Sequence, residues 1–309
     1  MSNFIINPYV FAVASTFDNG FSLRKSLTTG EGNSVKLVSA NNLTNYFNSV
    51  FGSASAAFSL SFWIKAGWDN SLNTNIHLFH VNAGGTDSRE QQVRVFFNES
   101  NNRLEFRMGS STEDRSLNFW PLHSHLSATG LPGSAASQYW SSSNRGNVNS
   151  NDFTHLVITK GTGTSLAATN IAAYWNGTKL GEAFYSSGNN FGQGLANMST
   201  SDNRRITIGS NAHQFAKCGN NTETFYDEFA IFGVELSQTQ VTALYNSGVP
   251  QNANSVVEEQ PLAYYRFEGA SGSQQHVADS SVYTGSSPLV VISGDSDTVN
   301  TVSAWWIII

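Results

Sequence analysis

The sequence predicts an all-β protein, an antiparallel two-sheet sandwich with one short helix near its C-terminal end. Only 12% of its 309 residues are charged, and glycine and small polar residues are abundant, which is typical of short strands joined by tight turns. Apolar and polar residues alternate from Phe58 to Lys65, the period of a half-buried strand. Asn176-Gly177 stands between strand-forming residues and is the strongest short hairpin signal in the chain.

The strand at 58–65 is expected to turn its large apolar residues toward the core and Ser59, Ser61, Trp63 and Lys65 toward the opposite face. In the strand at 103–108, Leu104, Phe106 and Met108 should point inward and Arg103, Glu105 and Arg107 outward. Further strands are predicted at 77–81, 93–97, 153–160, 171–174 and 205–209. The predicted core comprises Phe58, Leu60, Phe62, Ile64, Leu104, Phe106, Leu156, Ile158, Ile206, Ile208, Phe229, Ile231 and Leu244.

One helix is predicted after a strand that begins at Phe225. Ser237 and Gln240 have the spacing of a capping box, in which each residue satisfies a backbone N–H of the other. Gly248 and Pro250 predict where this helix ends, because glycine favours a helix C-terminus and proline cannot continue a helix. We therefore expect a single short helix to close the sandwich.

Charge and composition narrow the classes of partner. The formal net charge is −6, and the dispersed lysines and arginines form no basic stripe that could release counterions from a nucleic acid. Cys218 is the only cysteine, so neither an intrachain disulfide nor a thiolate metal site can form. No run of about 18 apolar residues could span a membrane, and the N-terminus lacks the pattern of a signal peptide. We expect no nucleic-acid partner, no membrane insertion, and synthesis in a cytoplasm.

The sequence shows no catalytic pattern. Retaining glycosidases need two carboxyl groups about 5 Å apart, and the only acidic pair two residues apart is Asp295 and Asp297, near the C-terminal end. Asp227 and Glu228 are adjacent, so regular alternation would direct them to opposite faces of a strand. Serine-hydrolase, zinc-protease and phosphate-loop motifs are absent. We expect a non-catalytic protein without a cofactor.

Five segments follow one another in a recognisable order: 58–65, 153–159, 174–177, 206–209, and 226–245, which contains Tyr226-Asp227-Glu228. Together they resemble a laminin-G-like domain of the concanavalin A-like lectin and glucanase superfamily. The resemblance implies a jelly-roll sandwich over residues 21–248, preceded by an arm at 1–20. A tail at 249–309 carries partial module-like strands.

A long polar insertion at 109–152 carries the candidate glycan-binding residues Trp120, Tyr139 and Trp140. Sugars offer apolar C–H faces and many hydroxyls, so aromatic platforms among small polar residues suit them. The alternative is that these rings pin the insertion to the sandwich.

For Asp227 the resemblance implies a ligand of a structural calcium ion. Calcium takes six or more oxygens, however, and no acidic cluster surrounds this residue in the sequence. We favour the alternative that Asp227 caps a turn or pairs with Arg204 or Arg205.

Both ends of the chain are apolar and aromatic, and they are predicted to serve assembly. The residues concerned are Phe4, Ile5, Ile6, Tyr9 and Phe11 at one end and Trp305, Trp306 and Ile307 at the other. Buried between copies, they would hold a homo-oligomer, with the part at 21–248 folding without them. The alternative is a C-terminal strand that packs within its own subunit.

The opening Met-Ser-Asn-Phe-Ile-Ile-Asn-Pro-Tyr, the missing signal peptide and the apolar C-terminus resemble laminin-G-like structural proteins of bacteriophages. The resemblance implies a non-catalytic structural protein on the virion surface, as a capsid decoration or a tail-fibre component. Its partners would be other virion proteins, copies of itself, and host-surface glycans. The alternative is a free extracellular lectin-like module.

Overall fold

Antiparallel strands dominate the computed structural model, which describes residues 21–25, 34–37, 50–51, 53, 55–66, 76–82, 92–98, 103–110, 113–119, 153–163, 170–180, 183–185, 205–208, 224–266, 276–277, 289–292 and 305–308. The strands are β1 (Phe21–Lys25), β2 (Ser34–Leu37), β3 (Phe58–Ala66), β4 (Ile76–Asn82), β5 (Gln92–Asn98), β6 (Arg103–Ser110), β7 (Glu113–Phe119), β8 (Thr154–Lys160), β9 (Ile171–Trp175), β10 (Thr178–Lys179), β11 (Ala183–Tyr185), β12 (Arg205–Ile208), β13 (Thr224–Phe232), β14 (Ala263–Tyr265), β15 (His276–Val277), β16 (Leu289–Ile292) and β17 (Trp305–Ile308). The helices are α1 (Gln238–Tyr245) and the single turn α2 (Ala253–Val256), with a 3-10 turn at Asn246–Gly248. Among the described residues, no helix has the length and apolar character needed to cross a membrane.

The strands form two sheets in which every pairing is antiparallel. Sheet A has eight strands, in the order β10-β9-β8-β3-β13-β1-β17, with β14 also paired to β13. Sheet B has nine strands, in the order β11-β7-β6-β5-β4-β12-β2-β16-β15. The predicted all-β, two-sheet architecture with a short helix toward the C-terminus is confirmed.

Aromatic rings from both sheets meet in the core. Phe229 on sheet A lies 5.6 Å from Phe62 of the same sheet and 5.5 Å from Phe79 of sheet B, measured between ring centroids. Phe58 and Phe106 make a second contact between the sheets at 6.1 Å. Every predicted core residue whose side chain is described is buried; Ile206 and Ile208 lie on β12, where only the backbone is described.

The outer face of sheet A is also buried, which corrects the prediction of a half-buried strand at 58–65. Ser59, Ser61 and Trp63 are buried like their apolar neighbours. A second apolar cluster lies over this face, in which Leu236, Val241 and Leu244 of the helical region join residues of β8, β9 and β13. The Ser59 hydroxyl anchors the approach to α1, because its Oγ donates to Val234 O (2.8 Å) and accepts from Leu236 N (2.9 Å). Strand alternation could not show that a helix would cover the second face.

The packed unit continues past Gly248, the predicted end of the sandwich. Ala253, Val257 and Tyr264 belong to the same apolar cluster as α1, and β14 adds to sheet A beside β13. Farther along, β16 pairs with β2 in sheet B and β17 pairs with β1 at one edge of sheet A. These pairings within one chain correspond to the alternative of a C-terminal strand that packs in its own subunit.

A buried lysine joins two loops at one end of sheet A. Lys160 Nζ donates to the carbonyl oxygens of Ala56 (2.8 Å), Gly161 (3.0 Å) and Gly163 (3.0 Å). Burial lowers the pKa of Lys160 to about 8, and the charge of Glu235 opposes that shift. The ammonium group is thus surrounded by three carbonyl oxygens, which compensate for its burial.

Candidate functional site

The outward face of sheet B presents a row of polar positions that crosses five strands. Neighbouring strands place Thr207, His80, Arg94, Arg107 and Ser116 in direct register. Directly opposed residues of adjacent strands project from the same face. The alternate positions of β5 and β6 enter the core, so the side chains of His80, Arg94 and Arg107 lie on the side away from sheet A. We call the five positions the polar row; for Thr207 and Ser116 the structure gives the backbone register.

Two arginines of the polar row pack against one phenylalanine. The guanidinium carbon of Arg94 lies 4.6 Å from the ring centroid of Phe96, and that of Arg107 lies 5.1 Å from it. Phe96 is fully buried, whereas both arginines keep part of their surface exposed. The ring therefore serves as a support that orients the two guanidinium groups, with a cation–π attraction of about 0.5–2 kcal/mol each.

A buried carboxylate completes this group, which we call the arginine cluster: Arg94, Phe96, Glu105 and Arg107. Glu105 stands in register with Phe96, and its Oε2 accepts a hydrogen bond from Arg107 Nε at 2.9 Å and forms an ion pair with Arg107 Nη2, also at 2.9 Å. A carboxylate this deeply buried needs such a partner, because removing its charge from water would otherwise cost several kcal/mol. The bond in turn fixes the direction of the Arg107 side chain.

The arginine cluster suits binding better than chemistry. Each guanidinium carries five N–H donors in a planar fork, which can serve a neighbouring protein group and a ligand oxygen together. His80 is the next residue of the polar row beside Arg94, and its ring is buried. The two guanidinium groups of the row are therefore held in a fixed direction, and each keeps part of its surface exposed.

A serine and a histidine also meet in the described structure, at the spacing of a nucleophile and its base. Ser61 Oγ lies 2.9 Å from His155 Nε2, and both residues are buried beneath α1. The imidazole belongs to a group of three mutually contacting rings, with its centroid 4.9 Å from Trp63 and 6.3 Å from Tyr245, and Trp63 and Tyr245 lie 5.9 Å apart. Burial lowers the pKa of His155 to about 3. Because no substrate could reach this pair without displacing the helix, we assign it to packing.

Asp227 lies at a β-bulge in β13. The pairing of β13 with β3 shifts between Asp227 and Ala230, and Glu228 adopts a positive φ of 47°. Asp227 Oδ1 accepts from the Glu228 backbone N–H at 2.9 Å, within a fully buried site. The regular alternation expected for this acidic pair is therefore interrupted, and the turn-capping interpretation of Asp227 remains a prediction.

The calcium interpretation of Asp227 stays a prediction. In the part of the chain that the structure describes, no group of three or more His, Cys, Asp or Glu side chains could hold a metal ion. Arg204 and the side chain of Arg205 lie outside that part.

Most other predicted site residues fall outside the described structure. These are the glycan candidates Trp120, Tyr139 and Trp140, the lone cysteine Cys218, and the N-terminal assembly residues Phe4, Ile5, Ile6, Tyr9 and Phe11. For Trp305, Trp306 and Ile307 the structure gives the backbone, which pairs with β1.

Sequence reasoning missed the arginine cluster as a site, although one signal was present. The alternation of β6 correctly placed Glu105 and Arg107 on the outward face. What it could not supply was the register with β5, which sets Arg94 opposite Arg107. A register is decided by long-range pairing, so the two arginines are brought together only by the fold.

Comparison with known proteins gives similarities at the level of structure. No family model matches the sequence, and no curated protein matches it. Among solved structures, the chain is similar to the binding domain of Paraclostridial Mosquitocidal Protein 1, with 18% identity and a TM-score of 0.39 over 63% of this chain and 38% of that one. It is also similar to the binding domain of Botulinum neurotoxin DC in complex with SialylT, with 14% identity and a TM-score of 0.43 over 85% and 53% of the two chains.

A third similar structure is the native heptameric SAP-like pentraxin from Limulus polyphemus. The identity is 10% and the TM-score 0.42, over 91% of this chain and 98% of the pentraxin chain. In contrast, the chain spans between 38% and 58% of the first three solved structures that it matches.

Proposed function

We propose that this chain is a non-catalytic, glycan-binding structural protein of a bacteriophage virion. The polar row carries the binding part of the proposal, because it holds two partly exposed guanidinium groups in register over a buried ring. These donors stand on paired strands, which hold a site more rigidly than loops do. Trp120, Tyr139 and Trp140 belong to the same proposal as aromatic contacts for a sugar face.

The non-catalytic part is supported by the location of the reactive groups. Ser61 and His155 have suitable spacing but lie buried beneath α1. Glu105 is held by Arg107 through a hydrogen bond from Nε and an ion pair with Nη2. Neither arrangement presents an acid and a base to one bond of a bound sugar.

An array of oligosaccharides tests the binding proposal on the full chain. We expect a defined set of glycans to be retained and Arg94→Gln to weaken that retention roughly 10-fold, the effect of losing one charge-assisted hydrogen bond. Lys179→Gln is the matched control, because Lys179 is an exposed cation on β10 of the other sheet and should leave retention unchanged.

Two results would contradict the binding proposal. The first is an Arg94→Gln protein that binds the same glycans as tightly as the unaltered chain. The second is shortening of the bound oligosaccharides, detected by chromatography after long incubation, since a non-catalytic protein leaves them intact.

The virion part rests on the sequence resemblance and on the apolar termini. The proposal includes burial of Trp305, Trp306 and Ile307 with the N-terminal arm between copies of the chain or against other virion proteins. Mass spectrometry of gradient-purified virions should recover the chain, and sedimentation should show the isolated protein as a homo-oligomer. Recovery only from the medium, as a monomer, would favour the alternative of a free lectin-like module.

A further inference from the structure

We infer that Asn176 is a protected modification site, which loses ammonia to form aspartate and isoaspartate when α1 separates from the β9–β10 hairpin. The reaction needs only water and hydroxide. It therefore stands independently of the proposed glycan binding.

The Asn176-Gly177 sequence favours this reaction, because glycine has no side chain to hinder attack by its backbone nitrogen. Gly177 N gives up its proton to hydroxide and attacks Cγ of Asn176. The new N–Cγ bond closes a five-membered imide, the Cγ–Nδ2 bond breaks, and Nδ2 takes a proton from water and leaves as ammonia. Hydrolysis of the imide at Cγ gives aspartate, whereas hydrolysis at the main-chain carbonyl gives isoaspartate, in which the chain runs through Cβ and Cγ.

In the folded protein the Asn176 side chain is held by a neighbouring strand. Its Oδ1 accepts from the backbone N–H of His155 on β8, and the Asn176 N–H donates to His155 O, each at 2.9 Å. Turning the carboxamide toward Gly177 N, as imide closure requires, breaks the bond to His155 N. Both turn residues also hold the positive φ angles, 49° and 75°, that allow Trp175 to pair with Thr178. Rotation toward the closing geometry therefore has to open the turn.

Helix α1 covers the glycine of this turn. Gly177 is buried, and its carbonyl accepts from Gln238 Nε2 (2.6 Å) and Thr242 Oγ1 (3.4 Å). The Tyr245 ring lies against it, with Cδ1 2.8 Å from the place that a Cβ would occupy. These contacts fix Gly177 and shield its backbone nitrogen from hydroxide. The reaction therefore requires a local opening in which α1 leaves the hairpin.

The two products should differ in what they do to the hairpin. Isoaspartate adds a carbon atom to the main chain of a two-residue turn, so Trp175 and Thr178 can no longer keep their register. Aspartate keeps the normal main chain, tolerates a positive φ, and retains a side-chain oxygen for His155 N. Formation of isoaspartate thus prevents the opened hairpin from closing again on α1.

The experiment incubates the full chain in mildly alkaline buffer, with and without urea, and follows conversion at Asn176 by peptide mapping and mass spectrometry. In urea, Asn176 should convert about as fast as Asn19, which begins the other Asn-Gly pair of the chain and lies outside the described residues. In the folded chain, Asn176 should convert at least about 10-fold more slowly than in urea, because only the opened fraction reacts.

Two variants test the part that α1 has in this protection. Gln238→Ala removes the closer donor to Gly177 O and should raise the rate at Asn176 several-fold in the folded chain. Thr239→Ala is the matched control, because Thr239 is the next, exposed residue of the same helical turn and should leave the rate unchanged. Urea denaturation of both variants separates a local effect from a loss of overall stability.

The products are compared in a chain that carries Asn19→Gln, so that Asn176 is its only Asn-Gly site. After conversion in urea and dilution, the isoaspartate form should be cut by a protease at the hairpin, and the aspartate form should resist. Equal resistance of the two forms would overturn the inferred effect of isoaspartate on closure.

Three results would overturn the inference of a protected site. The first is equal conversion of Asn176 in the folded and the urea-unfolded chain. The second is no conversion of Asn176 in urea, where Asn19 reacts. The third is an equal rate for Gln238→Ala and Thr239→Ala, since contact with α1 would then give no protection.

Discussion

At the scale of single residues, His155 should make the stability of this protein depend on pH. Its imidazole is buried against the rings of Trp63 and Tyr245, with Ser61 Oγ at 2.9 Å from Nε2. Burial disfavours the charged ring and lowers the pKa of His155 from 6.5 to about 3. Between those two values the unfolded chain binds a proton that the folded chain does not bind. The stability that His155 contributes is therefore fully present above pH 6.5 and is lost as the pH falls toward 3.

We predict a loss of about 2 kcal/mol of unfolding free energy from this residue alone between pH 6.5 and about pH 5, at about 1.4 kcal/mol per pH unit. Urea denaturation at the two pH values measures it. His155→Gln keeps a polar group near Ser61 but cannot titrate, so its stability should vary less over the same interval. Identical pH slopes for the two proteins would show that His155 does not carry the effect.

At the scale of elements, the β9–β10 hairpin docks directly on α1. Trp175 pairs with Thr178, so the connection has two residues, Asn176 (φ 49°) and Gly177 (φ 75°), as expected for a turn that needs positive φ at both positions. Gln238 of α1 donates to Gly177 O at 2.6 Å. The Asn176-Gly177 turn thus closes the hairpin and also contacts the first residues of α1.

Gly177→Ala should therefore destabilise the protein for two separate reasons, by roughly 2–4 kcal/mol in total. Part of the loss is the strain of a left-handed residue with a Cβ. The rest comes from Tyr245, whose Cδ1 lies only 2.8 Å from where that Cβ would be placed. Thermal denaturation gives the size of the loss, and near-ultraviolet circular dichroism should report a disturbed Trp63–Tyr245 stack.

Gly163→Ala is the matched control for this prediction. Gly163 also has a positive φ, +106°, but no atom of the described residues lies within 4 Å of the position that a Cβ would take there. It should show the backbone strain without the collision, and the aromatic spectrum should be unchanged. If the two variants lose the same amount of stability, the contact with Tyr245 contributes nothing to the loss in Gly177→Ala.

The elements that the sequence predicted well are those determined by neighbouring residues. The hairpin at Asn176-Gly177 and the capping box of Ser237 and Gln240 are both confirmed, because turn geometry and helix capping depend on a few adjacent side chains. Strand alternation likewise found the inward residues. The bulge after Asp227 was not predicted, since it depends on how β13 meets β3 and β14.

At the scale of the whole molecule, what the sequence could not provide is which distant segments meet. The burial of Ser59 and Ser61 depends on a helical region more than 170 residues later in the chain. The arginine cluster depends on a register between strands, and the place of Tyr264 depends on β14 joining sheet A. Each of these is a long-range contact, and no local pattern specifies its partner.

Residues 249–266 provide the clearest test of these long-range contacts. Tyr264 and Val257 are buried in the cluster around α1. The Tyr264 hydroxyl donates to the buried carboxylate of Glu228 and accepts from Ala253 N at 3.2 Å. Arg266 adds an ion pair to the same carboxylate, with Nε 3.5 Å from Oε1. A chain that ends at Gly248 would expose the cluster and leave Glu228 without these partners.

We predict that a protein comprising residues 21–248 is not stably folded, contrary to our expectation from the sequence. Burial of large apolar side chains contributes about 1.5–3 kcal/mol each, and the stability of a whole domain is only about 5–15 kcal/mol, so losing Val257 and Tyr264 removes much of it. Glu228 adds to the loss, because a buried carboxylate deprived of its donors costs a further few kcal/mol. Limited proteolysis and urea denaturation of the truncated and full chains measure the difference.

Tyr264→Phe in the full chain separates the two causes of this loss, since it keeps the buried ring and removes only the hydroxyl that donates to Glu228. It should cost about 1–3 kcal/mol without abolishing cooperative unfolding, because the apolar cluster around α1 stays covered. The truncated chain loses both the ring and the hydroxyl, so its loss should be clearly the larger of the two. If the truncated chain unfolds cooperatively at the same urea concentration as the full chain, residues 249–266 contact the sandwich but add nothing to its stability.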